Sequence, residues 1–233
     1  MTAAAASSPA SSPGFTRSVE DYLKAIYQLA PEGGPVATSE IAQRLELSAP
    51  SVSAMVKRLG EQRFLEHVPY RGVRLTAEGR RVALRMVRRH RIIEAYLVAT
   101  LAYTWDTVHE EAERLEHAVS DTLIERMAAA LGHPGFDPHG DPIPTAEGTL
   151  PAQECVPLSE VAAGSVVRLA RVTERDSERL RYLASFGLTP GAEVAVVAHQ
   201  PFEGPITFRV GASGEEHVLA HALGRALLCE VTR

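Results

Sequence analysis

The apolar spacing of this chain changes character once, near Pro157. Up to Leu131, apolar residues recur every three or four positions, the period of helices that bury one face. Further on they alternate or run in short blocks, as strands do, at Val166–Val172, Val194–Ala198, Ile206–Val210, His217–Leu219 and Leu227–Val231. One short helix, Ser177–Phe186, interrupts that series. The spacing therefore predicts a multi-domain, mainly α chain that ends in a small β-barrel. Boundaries fall where composition shifts: an Ala/Ser/Pro-rich tail at 1–16, a first domain at 17–75, a helical domain at 76–144, a linker at 145–156 and the barrel at 157–233.

The first domain has a recognisable order. Ser18–Ala30 reads as a helix with Ser18 as N-cap, and Pro31-Glu-Gly-Gly-Pro35 breaks it. Thr38–Leu45 is a short second helix. After the turn Leu47-Ser48-Ala49, Pro50 fits the first position of a third helix running to about Gln62. Val52, Met55, Val56 and Leu59 form its apolar face. Two helices joined by such a turn make a helix-turn-helix, with the second as reader. Thr38, Ser39, Ser48, Pro50, Ser51, Ser53, Lys57 and Arg58 are candidate DNA contacts. The small residues permit close approach, and the basic pair reaches phosphates. Phe64–Val68 and Val73–Thr76 then flank Pro69-Tyr-Arg-Gly72, a hairpin whose tip offers Tyr70 and Arg71. A helix-turn-helix followed by this hairpin is a winged helix. Its rival use is contact with another protein.

Charge supports the DNA reading. Residues 17–100 carry fourteen Lys/Arg against nine Asp/Glu, although the whole chain has a formal net charge of -5. No apolar run approaches the ~18 residues of a spanning helix. The N-terminus lacks the basic start and apolar core of a signal peptide. The two cysteines, Cys155 and Cys229, show no Cys-x-x-Cys pairing. These features fit a reducing cytoplasm and exclude a disulfide scaffold.

His109-Glu-Glu-Ala-Glu113-Arg-Leu-Glu116-His117 places four potential metal ligands in a segment that reads as helix. At ~100° per residue, positions 109, 113, 116 and 117 share roughly a third of the circumference. His90 and Glu94 repeat the i, i+4 spacing on the preceding long helix, Thr76–Leu101. A His/Glu face can be only solvated surface, and a metalloenzyme is the sharper rival. Against an enzyme, the block is not His-Glu-x-x-His, and no nucleophile set or glycine-rich phosphate loop stands out. His133, His139, His199 and His221 are scattered, which predicts surface or packing roles for them.

The order winged helix, ligand-bearing helices, Asp137-Pro-His-Gly-Asp-Pro-Ile-Pro144 and small barrel resembles the diphtheria toxin repressor family of metal-dependent transcription repressors. Its barrel is similar to the SH3-like, FeoA-like domain of that family. The resemblance implies a primary regulatory metal site at Asp21, Glu113, Glu116 and His117. It implies an ancillary site at His90, Glu94 and His109, with Asp176 of the barrel contributing. It also matches Arg91 to an anion-binding arginine beside that site. Iron-responsive members carry Cys and Met where this chain has Glu113 and Asp21, whereas manganese-responsive members carry these acids. Lys24 stands where the manganese branch has a further Glu, and Arg179, unable to ligate a cation, stands where the barrel has a Gln. An oxygen-rich set with imidazole suits Mn²⁺, and Fe²⁺ is compatible with it. The expectation is a cytoplasmic, homodimeric, Mn²⁺-dependent regulator of an inverted-repeat operator in double-stranded DNA, with no membrane partner and no enzymatic activity. An iron(II)-dependent repressor is the alternative.

Overall fold

The computed structural model describes residues 16–211 and 214–231, so the tail expected at 1–16 lies outside the described residues except for Thr16. The described residues form two compact units that divide between Met86 and Val87.

In the first unit, α1 (Arg17–Leu29), α2 (Thr38–Leu45) and α3 (Ala49–Glu61) precede a hairpin of β1 (Leu65–Val68) and β2 (Gly72–Leu75). Val19, Tyr22, Leu23, Ile26, Ile41, Val52, Leu59, Leu65 and Val73 form its core. The first helix starts one residue earlier than Ser18, with Thr16 as N-cap, so Ser18 lies inside the first turn. Pro50 likewise falls inside the first turn of α3, behind the N-cap Ser48. Glu46 ends α2 in a left-handed conformation, φ 55°, and Leu47 N–H returns to Ala42 O at 3.0 Å. That closure turns the chain sharply into α3. The wing is clamped to the unit through Val36, whose backbone exchanges bonds of 2.8 and 2.9 Å with Val73. Gly72 makes this approach possible. A Cβ there would collide with Val36 O, and its φ is +107°.

The 25-residue α4 (Ala77–Leu101) runs on into the second unit, followed by α5 (Val108–Leu115) and α6 (Asp121–Ala130). Ile92, Ile93, Leu97, Val108, Ala112, Ile124, Ala128 and Ile143 make one buried cluster among them. Truncating either isoleucine to Ala would cost ~2–5 kcal/mol. This cluster fixes which face of α4 turns toward α5. Ser120 caps α6 by accepting from Leu123 N–H at 3.2 Å.

The C-terminal part is a six-stranded antiparallel sheet of SH3-like architecture. Its strands are β3 (Val156–Pro157), β4 (Val166–Val172), β5 (Glu193–His199), β6 (Ile206–Val210), β7 (His217–Leu219) and β8 (Leu227–Val231), ordered β3-β8-β4-β5-β6-β7. Two helices, α7 (Ser177–Ser185) and α8 (His221–Arg225), complete it. Leu169, Leu183, Val194, Phe208, Leu227 and Cys229 belong to its core, and Trp105 from the α4–α5 connection packs against it. The strand β4 shifts register against β8 between Leu169 and Arg171, just before the Val172 N–H group. That group bonds His139 O at 2.8 Å. No described helix is long and apolar enough to cross a membrane.

Candidate metal centre and nucleic-acid interface

Four successive basic residues of α4, Arg88 to Arg91, point to four different neighbours because each step turns ~100° about the axis. Arg88 grips Glu125 of α6 at 2.7 Å and Pro144 O at 2.9 Å. Arg89 reaches the end of α5, with its Nε 2.9 Å from Glu116 O. His90 faces the ligand-bearing segment. Arg91 donates to Pro142 O at 2.5 Å and lies 3.6 Å from both Asp137 and Asp141. The anion expected beside Arg91 therefore has counterparts within the chain, the carboxylates of Asp137 and Asp141.

The helix α5 ends at Leu115. Glu116 is its C-cap and His117 lies beyond it, so the four ligands of the 109–117 block do not share one helical face as the spacing predicts. The fully buried Glu116 carboxylate accepts from His90 Nδ1–H at 2.6 Å and lies 3.3 Å from His117 Nε2. Glu113 Oε1 is 3.7 Å from His90 Nδ1 and 3.8 Å from His109 Nε2.

On the other edge of the His90 ring, His90 Nε2, His109 Nδ1 and Glu94 Oε1 form a triangle with all sides 3.0 Å. Three electron-rich atoms at this separation are favourable only with protons or a cation among them. Donors ~2.1 Å from one ion and at right angles would sit about this far apart. Burial alone would raise the Glu94 carboxyl, but the His90 charge and the surrounding His109, His139 and His90 imidazoles hold it well below the usual carboxylate range.

The second oxygen of Glu94 faces a residue assigned above to packing. His139 is fully buried, and its Nε2–H donates to Trp105 O at 2.8 Å. Its Nδ1 lies 3.8 Å from Glu94 Oε2 and has no hydrogen-bond partner. Glu94, Asp137 and His139 are all buried, with ligand atoms within 4.8 Å of one another. An orphaned buried imidazole nitrogen aimed at two carboxylates fits a cation. Glu94 thus belongs to two donor sets, one with His90 and His109 and one with Asp137 and His139. The available sequence signal was His139 flanked by two acids within a Gly/Pro-rich turn.

Asp176, which the resemblance assigns to the ancillary site, joins no donor set among the described residues. It caps α7 by accepting from Arg179 N–H at 3.0 Å and is exposed. Neither cysteine joins a donor set among the described residues. Burial, with Cys155 nearby, pushes the Cys229 thiol up to about 12, which keeps it protonated in the barrel core.

The barrel holds the 137–141 loop in place. Besides the Val172–His139 bond, Arg175 pairs with Asp141 Oδ2, and Arg171 Nη1 lies 3.5 Å from Asp141 Oδ1. Gly140 sits under Ala170 O, at φ +82°, where any Cβ would collide. Ser177 Oγ–H donates to Asp106 O at 2.6 Å, and Arg181 pairs with the Asp106 side chain at 3.1 Å.

In the first unit, Thr38, Ser39, Ser48, Pro50, Ser51, Ser53, Lys57, Arg58, Tyr70 and Arg71 are all exposed. The Ser48 and Ser51 hydroxyls bond each other at 2.8 Å, and Ser53 donates to Ala49 O at 2.9 Å. Tyr70 occupies the wing tip at φ 62°, fully exposed. An apolar-floored groove of about 380 Å³ runs between α3 and the wing, lined by Thr38, Ser53, Lys57 and also His67, which the sequence reading had not singled out.

This layout matches known proteins along its length. Residues 14–73 match the iron dependent repressor N-terminal DNA binding domain, 76–145 its metal binding and dimerisation domain, and 156–230 the FeoA domain. An iron-dependent repressor, IdeR, of Mycobacterium leprae is 33% identical over 76% of this chain and 82% of its own. The chain belongs to the iron-dependent repressor family. The diphtheria toxin repressor of Corynebacterium glutamicum is 32% identical over 88% of this chain and 93% of its own. Among solved structures, a manganese-dependent transcriptional repressor in complex with manganese is similar at a TM-score of 0.85. It shares 40% identity and covers 92% of this chain and 100% of its own. The manganese regulator SloR gives 0.74 at 34% identity, over 92% and 98%. As a member of this family the chain is a metal-dependent, DNA-binding transcriptional regulator with a dimerisation domain, and not an enzyme.

Proposed function

We propose that this iron-dependent repressor family member is activated by Mn²⁺ and represses metal-uptake genes in the cytoplasm, as a homodimer on an inverted-repeat operator. The observation that carries the metal preference is the carboxylate at Glu113, beside His90 and His109, in donor sets of oxygen and imidazole nitrogen. Such hard donors suit Mn²⁺ over ions that prefer thiolates. The manganese-dependent neighbour supports this choice.

A bound divalent cation would supply positive charge and a coordination preference that draws several carboxylates together. Glu113, Glu116 and His117 would hold one, and Glu94 with His90, His109, His139 and Asp137 a second. Asp21 of α1 is assigned to the first ion on sequence resemblance. Its engagement would restrain α1, which packs on α2 and so bears on how α3 is presented. In a dimer, two α3 helices would then meet major grooves about 34 Å apart. By linkage, operator DNA would tighten metal binding by the factor by which metal tightens DNA binding.

Iron(II) is the second reading, favoured by the curated relatives described as iron-dependent. An anaerobic gel-shift series on an inverted-repeat promoter fragment, one metal at a time, tests both. Retention at lower free Mn²⁺ than free Fe²⁺ is expected. The reverse order would transfer the assignment to iron, and retention unaffected by chelators would sink metal activation altogether.

A further inference from the structure

We propose that Arg89 is a positioning residue for the Glu116–His117 ligand pair. The inference rests on the reading of those two residues as metal ligands. They lie where helical hydrogen bonding gives out, because Glu116 caps α5 and His117 follows it. The carbonyls at such an end have no helical donor of their own. Arg89 supplies donors from a buried guanidinium. Its Nε bonds Glu116 O at 2.9 Å, its Nη2 bonds Val119 O, and its Nη1 bonds Asp121 Oδ1 at 2.6 Å. One planar fork thus fixes the whole 116–121 connection between α5 and α6.

The neighbouring His90 holds the same residue by its other end. Its Nδ1–H donates to Glu116 Oε2 at 2.6 Å, while Arg89 holds the Glu116 main-chain carbonyl. Two consecutive residues of α4 therefore set both the backbone and the carboxylate of one ligand. His117 takes its bearing from the same anchored peptide. A cation near the C-terminal end of α5 is also favoured by the helix dipole. Partners that orient metal ligands typically change metal affinity about 10–100-fold when removed.

The test uses full-length, metal-free protein with Arg89→Met and Arg89→Lys, and His117→Ala as reference. Mn²⁺ binding is counted by electron paramagnetic resonance of the free ion. Emission of the single tryptophan, Trp105, reports the His139 side separately. Arg89→Met is expected to weaken the step lost in His117→Ala by about 10–100-fold, leaving the Trp105-reported step in place. Arg89→Lys, which keeps the charge but not the fork, should recover part of the loss. The Co²⁺ absorption bands of that site should change shape in Arg89→Met, a signature that general destabilisation does not produce. Unchanged binding in Arg89→Met, or a parallel loss of both steps with a falling melting temperature, would overturn the inference. If His117→Ala binds like wild type, the ligand reading itself fails and takes this inference with it.

Discussion

His90 Nδ1 lies 2.6 Å from Glu116 Oε2, while the opposite nitrogen of the same ring lies 3.0 Å from Glu94 Oε1. One imidazole therefore links the ligands at the end of α5 to the buried carboxylate of α4. Charge gathered on one edge of the ring changes the proton-donating strength of the other, as in carboxylate–histidine–metal arrangements. The consequence is that both donor sets depend on this one ring.

Replacing His90 by Ala should accordingly weaken metal binding in two steps rather than one, each by about 10–100-fold, and metal-dependent DNA retention should fall with them. Calorimetric titration resolves the steps. A change in only one of them would show that His90 serves a single centre.

Glu113→Cys exchanges a hard oxygen for a soft thiolate beside His90 and His109. The variant should gain affinity for Zn²⁺ and Cd²⁺ relative to Mn²⁺ by at least about tenfold, following ligand softness. Competition titrations with a metal-responsive dye measure the ratio, and an unaltered ratio would remove the basis for the manganese assignment.

Trp105 is the only tryptophan in the sequence. Its carbonyl accepts from His139, and its ring lies 5.8 Å from the His139 ring, tilted by 31°. Its emission should change on Mn²⁺ addition in wild type and stay flat in His139→Ala. Retention of the response in that variant would mean that His139 takes no part in binding.

Asp137 gives a pH dependence. Burial, then the charges of Asp141 and Glu94, raise its carboxyl from 3.8 to about 7, against the pull of Arg91 and His139. Between those values the folded, metal-free protein binds more protons than the unfolded chain. The stability tied to this proton is complete below the unfolded value and drains as pH rises through about 7. Asp137→Asn keeps an acceptor for the His139 and Asp141 N–H groups, whose bonds are 2.8 and 2.9 Å, yet cannot ionise. Metal-free Asp137→Asn should therefore exceed wild type in stability at about pH 8 by an amount on the order of a few kcal/mol, with the gap closing toward about pH 5. Thermal melts at both pH values decide it. A gap that widens on acidification would contradict the sign.

Much of this was legible in the residues. The spacing found α2 with its limits, the wing and most barrel strands, because amphipathic periods survive folding. It missed β3 and α8, two and five residues long, too short to show a period. It also extended the α5 face through His117, since periodicity carries no mark of where hydrogen bonding stops. His139 was hidden for another reason. Its partners Glu94 and Trp105 lie far earlier in the chain, and no local pattern records a contact made by a Gly/Pro-rich loop. Arg89 was visible only as one of the fourteen Lys/Arg of residues 17–100. Its role depends on which carbonyls the fold leaves without donors.

The grip of β4 on the 137–141 loop changes where this chain can be cut and rejoined. The stretch 145–156 looks like the natural splice point for exchanging the C-terminal module. The working seam lies elsewhere, where Val172 N–H meets His139 O and where Arg171 and Arg175 meet Asp141. A transplanted barrel would have to bring its own complement to Asp137–Asp141, with room above Gly140. Grafted without it, the new barrel would remain a tethered passenger.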